Sequence, residues 1–80
     1  MTEKVIDLKG MRCPMPVLKT KKALATLAVS EEITVLTDDP HAIADIAQFA
    51  KQSGHTLLSQ ITDTEGVTRH TLRKESGLRS

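Results

Sequence analysis

A chain of 80 residues with a net charge of +1, a single phenylalanine and neither tryptophan nor tyrosine has room for one small domain on an aliphatic core, because a chain this short buries only about 60% of its unfolded surface. The near-balanced charge argues against a general nucleic-acid binder, which is usually clearly basic. A lone cysteine excludes an intramolecular disulfide. No long apolar run opens the chain, so neither signal peptide nor membrane span is read and the cytoplasm is the expected compartment.

In chain order, "VIDL" over residues 5–8 alternates apolar and polar and predicts a short strand, which Gly10 breaks. Residues 16–28 carry a helical pattern, with Val17, Leu24 and Ala28 on one side and Leu18 and Ala25 beside them. "EITVLT", 32–37, is rich in β-branched residues and predicts a second strand. A second helix follows: Asp39 suits its N-cap, Pro40 its first position and Gly54 its C-terminal stop, with Ile43, Ile46, Ala47 and Ala50 at helical spacing. Two strands, "HTLLSQIT" and "VTRHTLRK", are joined over 63–66, where Gly66 suits a hairpin turn.

The order is therefore β-α-β-α-β-β. Right-handed crossovers would put both helices on one face of a four-stranded mixed sheet, giving a two-layer α/β (α+β) sandwich. In the last strand Thr68, His70 and Leu72 alternate with Arg69, Thr71 and Arg73, which leaves one sheet face wet. Residues 1–75 form the single domain, and 76–80 a polar tail.

The charges are segregated. From Leu8 to Ser30 there is no acid, whereas Lys9, Arg12, Lys19, Lys21 and Lys22 are all basic; from Ala23 to Ala50 the acids Glu31, Glu32, Asp38, Asp39 and Asp45 occur with no Lys or Arg. Cys13 lies in the basic segment, between Arg12 and Pro14, with Pro16 beyond. The prolines stiffen the entry to the first helix and hold Cys13 and Met15 extended. Such a loop presents a thiol rather than burying it.

The helix dipole and the neighbouring cations are expected to lower the Cys13 pKa moderately. The dipole alone, worth about 0.3–1 kcal/mol, amounts to less than one pKa unit. No second cysteine exists for dithiol chemistry. His41, His55 and His70 read as ordinary surface positions, and they lack ligand-like spacing with Cys13 for a metal. Covalent carriage of a group by one exposed thiol fits best.

"DLKGMRCPMP" resembles the D-x-x-G-x-x-C-P-x-P signature of the TusA family of small sulfur-carrier proteins, also called SirA-like. The likeness continues through "TDDPHAIADI", "SGHTLL" and "TLRK", over about residues 5–74. It implies that Cys13 takes up sulfane sulfur as a persulfide, typically from a cysteine desulfurase, and passes it to an acceptor protein. In one branch that relay ends in 2-thiolation of tRNA wobble uridine; others feed molybdenum-cofactor maturation or sulfur oxidation. No resident cofactor is implied, and a monomer is expected.

Gly10, Arg12, Pro14 and Pro16 match the supporting positions around the cysteine. Lys19, Lys21, Lys22 and Asp39 fall in regions expected to meet partners. One departure is Asp45-Ile46-Ala47, where many members have proline in the third place. Two other readings compete: an RNA-binding module using the basic segment, disfavoured by the lack of stacking aromatics, and a redox-sensing domain.

Overall fold

The computed structural model describes residues 4–75. The elements are β1 (Lys4–Asp7), α1 (Met15–Ala25), β2 (Glu32–Thr37), α2 (His41–Ser53), β3 (Thr56–Thr62) and β4 (Thr68–Arg73), in the predicted order. The sheet runs β1-β2-β4-β3, with β1 parallel to β2 and the other pairs antiparallel. α1 packs on β2, α2 packs on β3 and β4, and the helices touch each other. Both therefore cover one face of a mixed sheet, as the sequence implied. The tail expected over 76–80 lies outside the described residues.

Between the layers sit Leu8, Leu24, Leu27, Ile33, Val35, Ala42, Ile46, Ala50 and Leu72, all buried. β2 is interior to the sheet and is buried over most of its length, the condition that favours its β-branched composition. α2 presents Ala42, Ile46 and Ala50 inward, one residue per turn on one stripe. It stops at Gly54, whose φ of +84° is costly for any residue with a Cβ, and whose N–H returns to the Ala50 carbonyl. The β3–β4 turn is organised by Asp63, whose carboxylate accepts the N–H groups of Glu65 and Val67.

Two expectations are corrected. α1 is shorter than the predicted 16–28 and buries Pro16, Thr20 and Leu24, while Leu18, Ala25 and Ala28 are exposed. An apolar count misses this stripe because its middle residue is a threonine, made compatible with burial by donating its hydroxyl to the Pro16 carbonyl at 2.7 Å.

The second correction is His70, which is fully buried rather than on the surface. It stands opposite Val35 on one side and Gln60 on the other. Nε2 lies 2.8 Å from Thr37 Oγ1, and Nδ1 lies 3.0 Å from Gln60 Nε2. That amide nitrogen can only donate, and its other hydrogen goes to the Ile43 carbonyl of α2 at 2.8 Å. His70 must therefore accept at Nδ1 and donate from Nε2, which makes it neutral. Burial lowers its pKa to about 4.

Candidate functional site

The cysteine loop runs from the end of β1 to the start of α1. Leu8 donates to the Leu36 carbonyl (2.8 Å), and Met11 donates back to Leu8 (3.2 Å). The chain reverses at Gly10, with φ +88° and no atom near where a Cβ would stand. Backbone conformation, not space, is what calls for glycine there. The Arg12 carbonyl accepts the Met15 N–H at 2.8 Å, closing a four-residue turn around Cys13 and Pro14; the peptide between those two is cis. Cys13 and Arg12 are exposed, and Pro16 is buried at the foot of α1.

The segment joining β2 to α2 clamps this loop. Asp38 Oδ1 accepts the Gly10 N–H (2.9 Å), and Asp39 Oδ2 accepts the Cys13 N–H (3.1 Å) across 26 residues of sequence. The other Asp39 oxygen accepts both the His41 N–H and the His41 ring nitrogen Nδ1, each at 3.1 Å. One carboxylate thus ties the cysteine backbone to the start of α2. The hydrogen bond from the His41 amide, reinforced by that from Cys13, outweighs burial and holds the Asp39 pKa below the ordinary carboxylate value.

Asp39 was expected both as a helix cap and on a partner-facing surface. Instead it is 7% exposed and its oxygens are occupied by its own chain. The cap position falls on Pro40, although Asp39 still serves the first turn through His41.

The thiol is not lowered, as expected, but raised above the ordinary cysteine value. The main cause is a hydrogen bond to the Asp45 side chain. Partial desolvation, the Asp45 charge and then the Asp39 charge add to it. Proximity in sequence misled here. Lys19, Lys21 and Lys22 are exposed on α1, whereas the two carboxylates that raise the thiol come from the acidic half of the chain.

Lys19 and Lys22 share the outer face of α1 with Met15 and Leu18 (residue spacings of three, four and seven), while Lys21 lies to the side. Met15 is 40% and Leu18 51% exposed. The turn after Cys13 therefore leads onto an apolar patch edged by ammonium groups.

Among the described residues no cluster of three metal-ligating side chains occurs, and no helix is long and apolar enough to cross a membrane. Sequence reasoning missed Asp38 and Asp45 as neighbours of the loop. The signal available was the acidic block itself, complementary to the basic segment it folds against.

Comparison with known proteins places these features in company. The family model described as "Sulfurtransferase TusA" matches residues 4–74. The chain is 42% identical over 71 residues to the Bacillus subtilis protein named "Putative sulfur carrier protein YrkF", covering 88% of this chain but only 37% of that longer protein. It is 35% identical over 71 residues to "Sulfur carrier protein TusA" of Allochromatium vinosum, covering 89% of this chain and 91% of the relative. Among solved structures, a SirA-like protein from Desulfitobacterium hafniense superposes with a TM-score of 0.81 at 29% identity, over 94% of this chain and 100% of that one.

Proposed function

The chain belongs to the TusA family of sulfurtransferases and sulfur carriers, and from that membership we propose that Cys13 carries sulfane sulfur as a persulfide between a donor enzyme and an acceptor protein. The observation that carries this reading is the presentation of Cys13. It is the chain's only cysteine, exposed, on a turn closed by its own backbone and pinned through its N–H to a buried carboxylate. A carrier needs a thiol that two different proteins reach in the same geometry, and a fixed, outward loop supplies that.

In loading, the Cys13 thiolate attacks the outer sulfur of a donor persulfide. An Sγ–S bond forms, the donor S–S bond breaks, and the donor sulfur leaves as a thiolate, so no outside oxidant or reductant is consumed. In unloading, an acceptor thiolate attacks the outer sulfur now on Cys13, and Cys13 departs as the thiolate. Sulfur is the cargo here, and no resident cofactor takes part. The exposed Met15–Leu18 patch with Lys19 and Lys22 lies beside the loop, where donor and acceptor dock in turn on a monomeric carrier. A cysteine desulfurase is the donor, and the relay runs toward 2-thiolation of tRNA uridine.

Intact-mass spectrometry after incubation with a cysteine desulfurase and cysteine tests the proposal. The expected result is a gain of one sulfur atom that reductant removes and that Cys13→Ser lacks. Uptake persisting in Cys13→Ser refutes it, as does no uptake by the folded protein from desulfurase, thiosulfate or polysulfide.

A further inference from the structure

We propose that the free edge of β3 pairs with the same edge of a second copy of this chain, antiparallel about a twofold axis at Ile61. The inference stands apart from the carrier reading, because it uses the sheet edge alone.

The two edges of the sheet are guarded differently. β1, at one edge, has four residues, and Lys4 and Asp7 among them are charged. β3, at the other edge, runs for seven residues, TLLSQIT, with no charge and no proline. Shortness, charge and proline are common protections of an exposed edge, and β3 has none of them. Its one irregularity is at Leu58, where the register with β4 slips between Leu57 and Ser59. Beyond that bulge, residues 59–62 pair regularly with β4. Ile61 lies in this regular stretch and is 61% exposed, the most of any large apolar side chain among the described residues.

The hydrogen bonds at the hairpin fix which main-chain groups point outward. The Asp63 N–H donates to the Val67 carbonyl at 2.9 Å, and the Asp63 carbonyl accepts the Gly66 N–H at 3.2 Å. Asp63 therefore turns both of its main-chain groups toward β4. Because these groups alternate along a strand, Ile61 and Ser59 also turn theirs toward Arg69 and Thr71 of β4. Gln60 and Thr62 turn theirs away, and neither N–H has an acceptor among the described residues.

A partner strand must answer these two positions and cover Ile61, and a second β3 does both. With Ile61 on the axis, Gln60 stands opposite Thr62 of the second copy and Thr62 opposite its Gln60. Each pair exchanges an N–H and a carbonyl in both directions. Ile61 then meets its own copy at a non-hydrogen-bonded position, where Cα atoms are about 4.5 Å apart and side chains touch. No like charges collide: Asp63 falls opposite Ser59 of the copy. Arg69, beside Ile61 on β4, stands three strand spacings from its counterpart, about 14 Å, beyond the Debye length of about 10 Å at 0.1 M salt. Moving the axis to Gln60 would set the bulged Leu58 against Thr62, which breaks the ladder.

The product is one continuous sheet of eight strands, four from each copy. So short a contact falls well below the roughly 1,200–2,000 Å² that stable complexes bury, so the pairing is weak and reversible. A dilute chain remains a monomer. The Cys13 loop follows β1 at the opposite edge, and pairing leaves both loops open.

The test is sedimentation equilibrium of the full chain from about 10 μM to about 1 mM, under reductant so that Cys13 forms no disulfide. The average mass should rise toward that of a dimer. Ile61→Lys, which sets two ammonium groups at the axis, should abolish the rise, and Ile61→Val should keep it. Amide exchange by NMR needs no variant: Gln60 and Thr62 should slow as concentration rises, whereas Ser59 and Ile61, already bonded to β4, should not change. In a Cys13→Ser background, Ile61→Cys should oxidise to a cross-linked dimer, since the facing positions lie within the Cα separation of about 4.4–6.8 Å that a disulfide spans. A mass that stays monomeric up to about 1 mM overturns the proposal. So does a rise that Ile61→Lys leaves intact, or one that leaves exchange at Gln60 and Thr62 unchanged.

Discussion

Acidification should unfold this protein chiefly through one buried side chain, His70. The folded state holds it neutral with a pKa of about 4, against 6.5 for an ordinary histidine. Between those values the unfolded chain binds a proton that the folded chain refuses. Stability therefore rises with pH across the window: it is complete above about 6.5 and falls as the pH drops toward 4. The gap of about 2.5 units corresponds to about 3 kcal/mol when fully developed. For a domain of this length, whose whole stability is of order 4–12 kcal/mol, that is a decisive fraction.

The hydrogen bonds explain why the loss has no easy remedy. A proton on Nδ1 would face the amide nitrogen of Gln60, donor against donor. Rotating that amide to offer its oxygen takes the donor away from the Ile43 carbonyl, which moves the problem onto α2. Urea titrations at intervals between pH 7 and pH 4 measure the effect, with His70→Gln as the comparison and NMR of the His70 ring as the direct readout. The wild type should lose about 3 kcal/mol over the range, and the variant, weaker at pH 7, should lose much less. His55 is also lowered by burial and adds a contribution of the same sign, which both proteins share. An equal loss in both, or a His70 ring titrating near 6.5, would refute the reasoning.

Three further outcomes follow from the packing. Asp39→Ala removes the acceptor shared by the Cys13 and His41 amides and should lower the melting temperature and speed amide exchange at Cys13; because the Asp39 pKa is depressed, acid should release the same clamp only below the ordinary carboxylate range near 4. Ile46→Ala empties a fully buried site on α2 and should cost about 2–5 kcal/mol in denaturant titration, whereas Gly10→Ala must hold a Cβ at φ +88° and should cost about 1–2 kcal/mol. Leu18→Glu alters an exposed face and should leave stability within about 0.5 kcal/mol while slowing sulfur uptake from a donor protein, but not from a small polysulfide.

Element order and sheet type were legible because they depend on local signals. Gly10, Gly54 and Gly66 all adopt positive φ where the sequence required a break, and the apolar spacing of α2 brackets its buried stripe of Ala42, Ile46 and Ala50. What was not legible depends on partners remote in sequence. His70 is a polar residue that burial tolerates because Thr37 and Gln60 complete its hydrogen bonds, and no local pattern announces such partners; Thr20 bonds within its own helix to Pro16, but an apolar count passes over a threonine. The sign of the Cys13 shift failed for the same reason. Lys19, Lys21 and Lys22 are near in sequence but exposed on α1, while Asp39 and Asp45 arrive from the next βα unit. Asp39, taken for a surface contact, turned out to be the pin of the loop.

The segregation of charge in the sequence thus becomes a division of labour in space, and salt can separate the two halves. The exposed lysines of α1 attract a partner through solvent, where the Debye length is about 10 Å at 0.1 M and about 3 Å at 1 M. The Cys13 thiol is raised first by hydrogen bonding to Asp45 and by partial desolvation, short-range effects that screening touches weakly. Raising ionic strength from about 0.1 M toward 1 M should therefore slow uptake from a donor protein at subsaturating concentration, yet leave the alkylation midpoint of unpartnered Cys13 in place. If the midpoint instead fell in step with uptake, diffuse charge rather than these short-range effects would be governing the thiol.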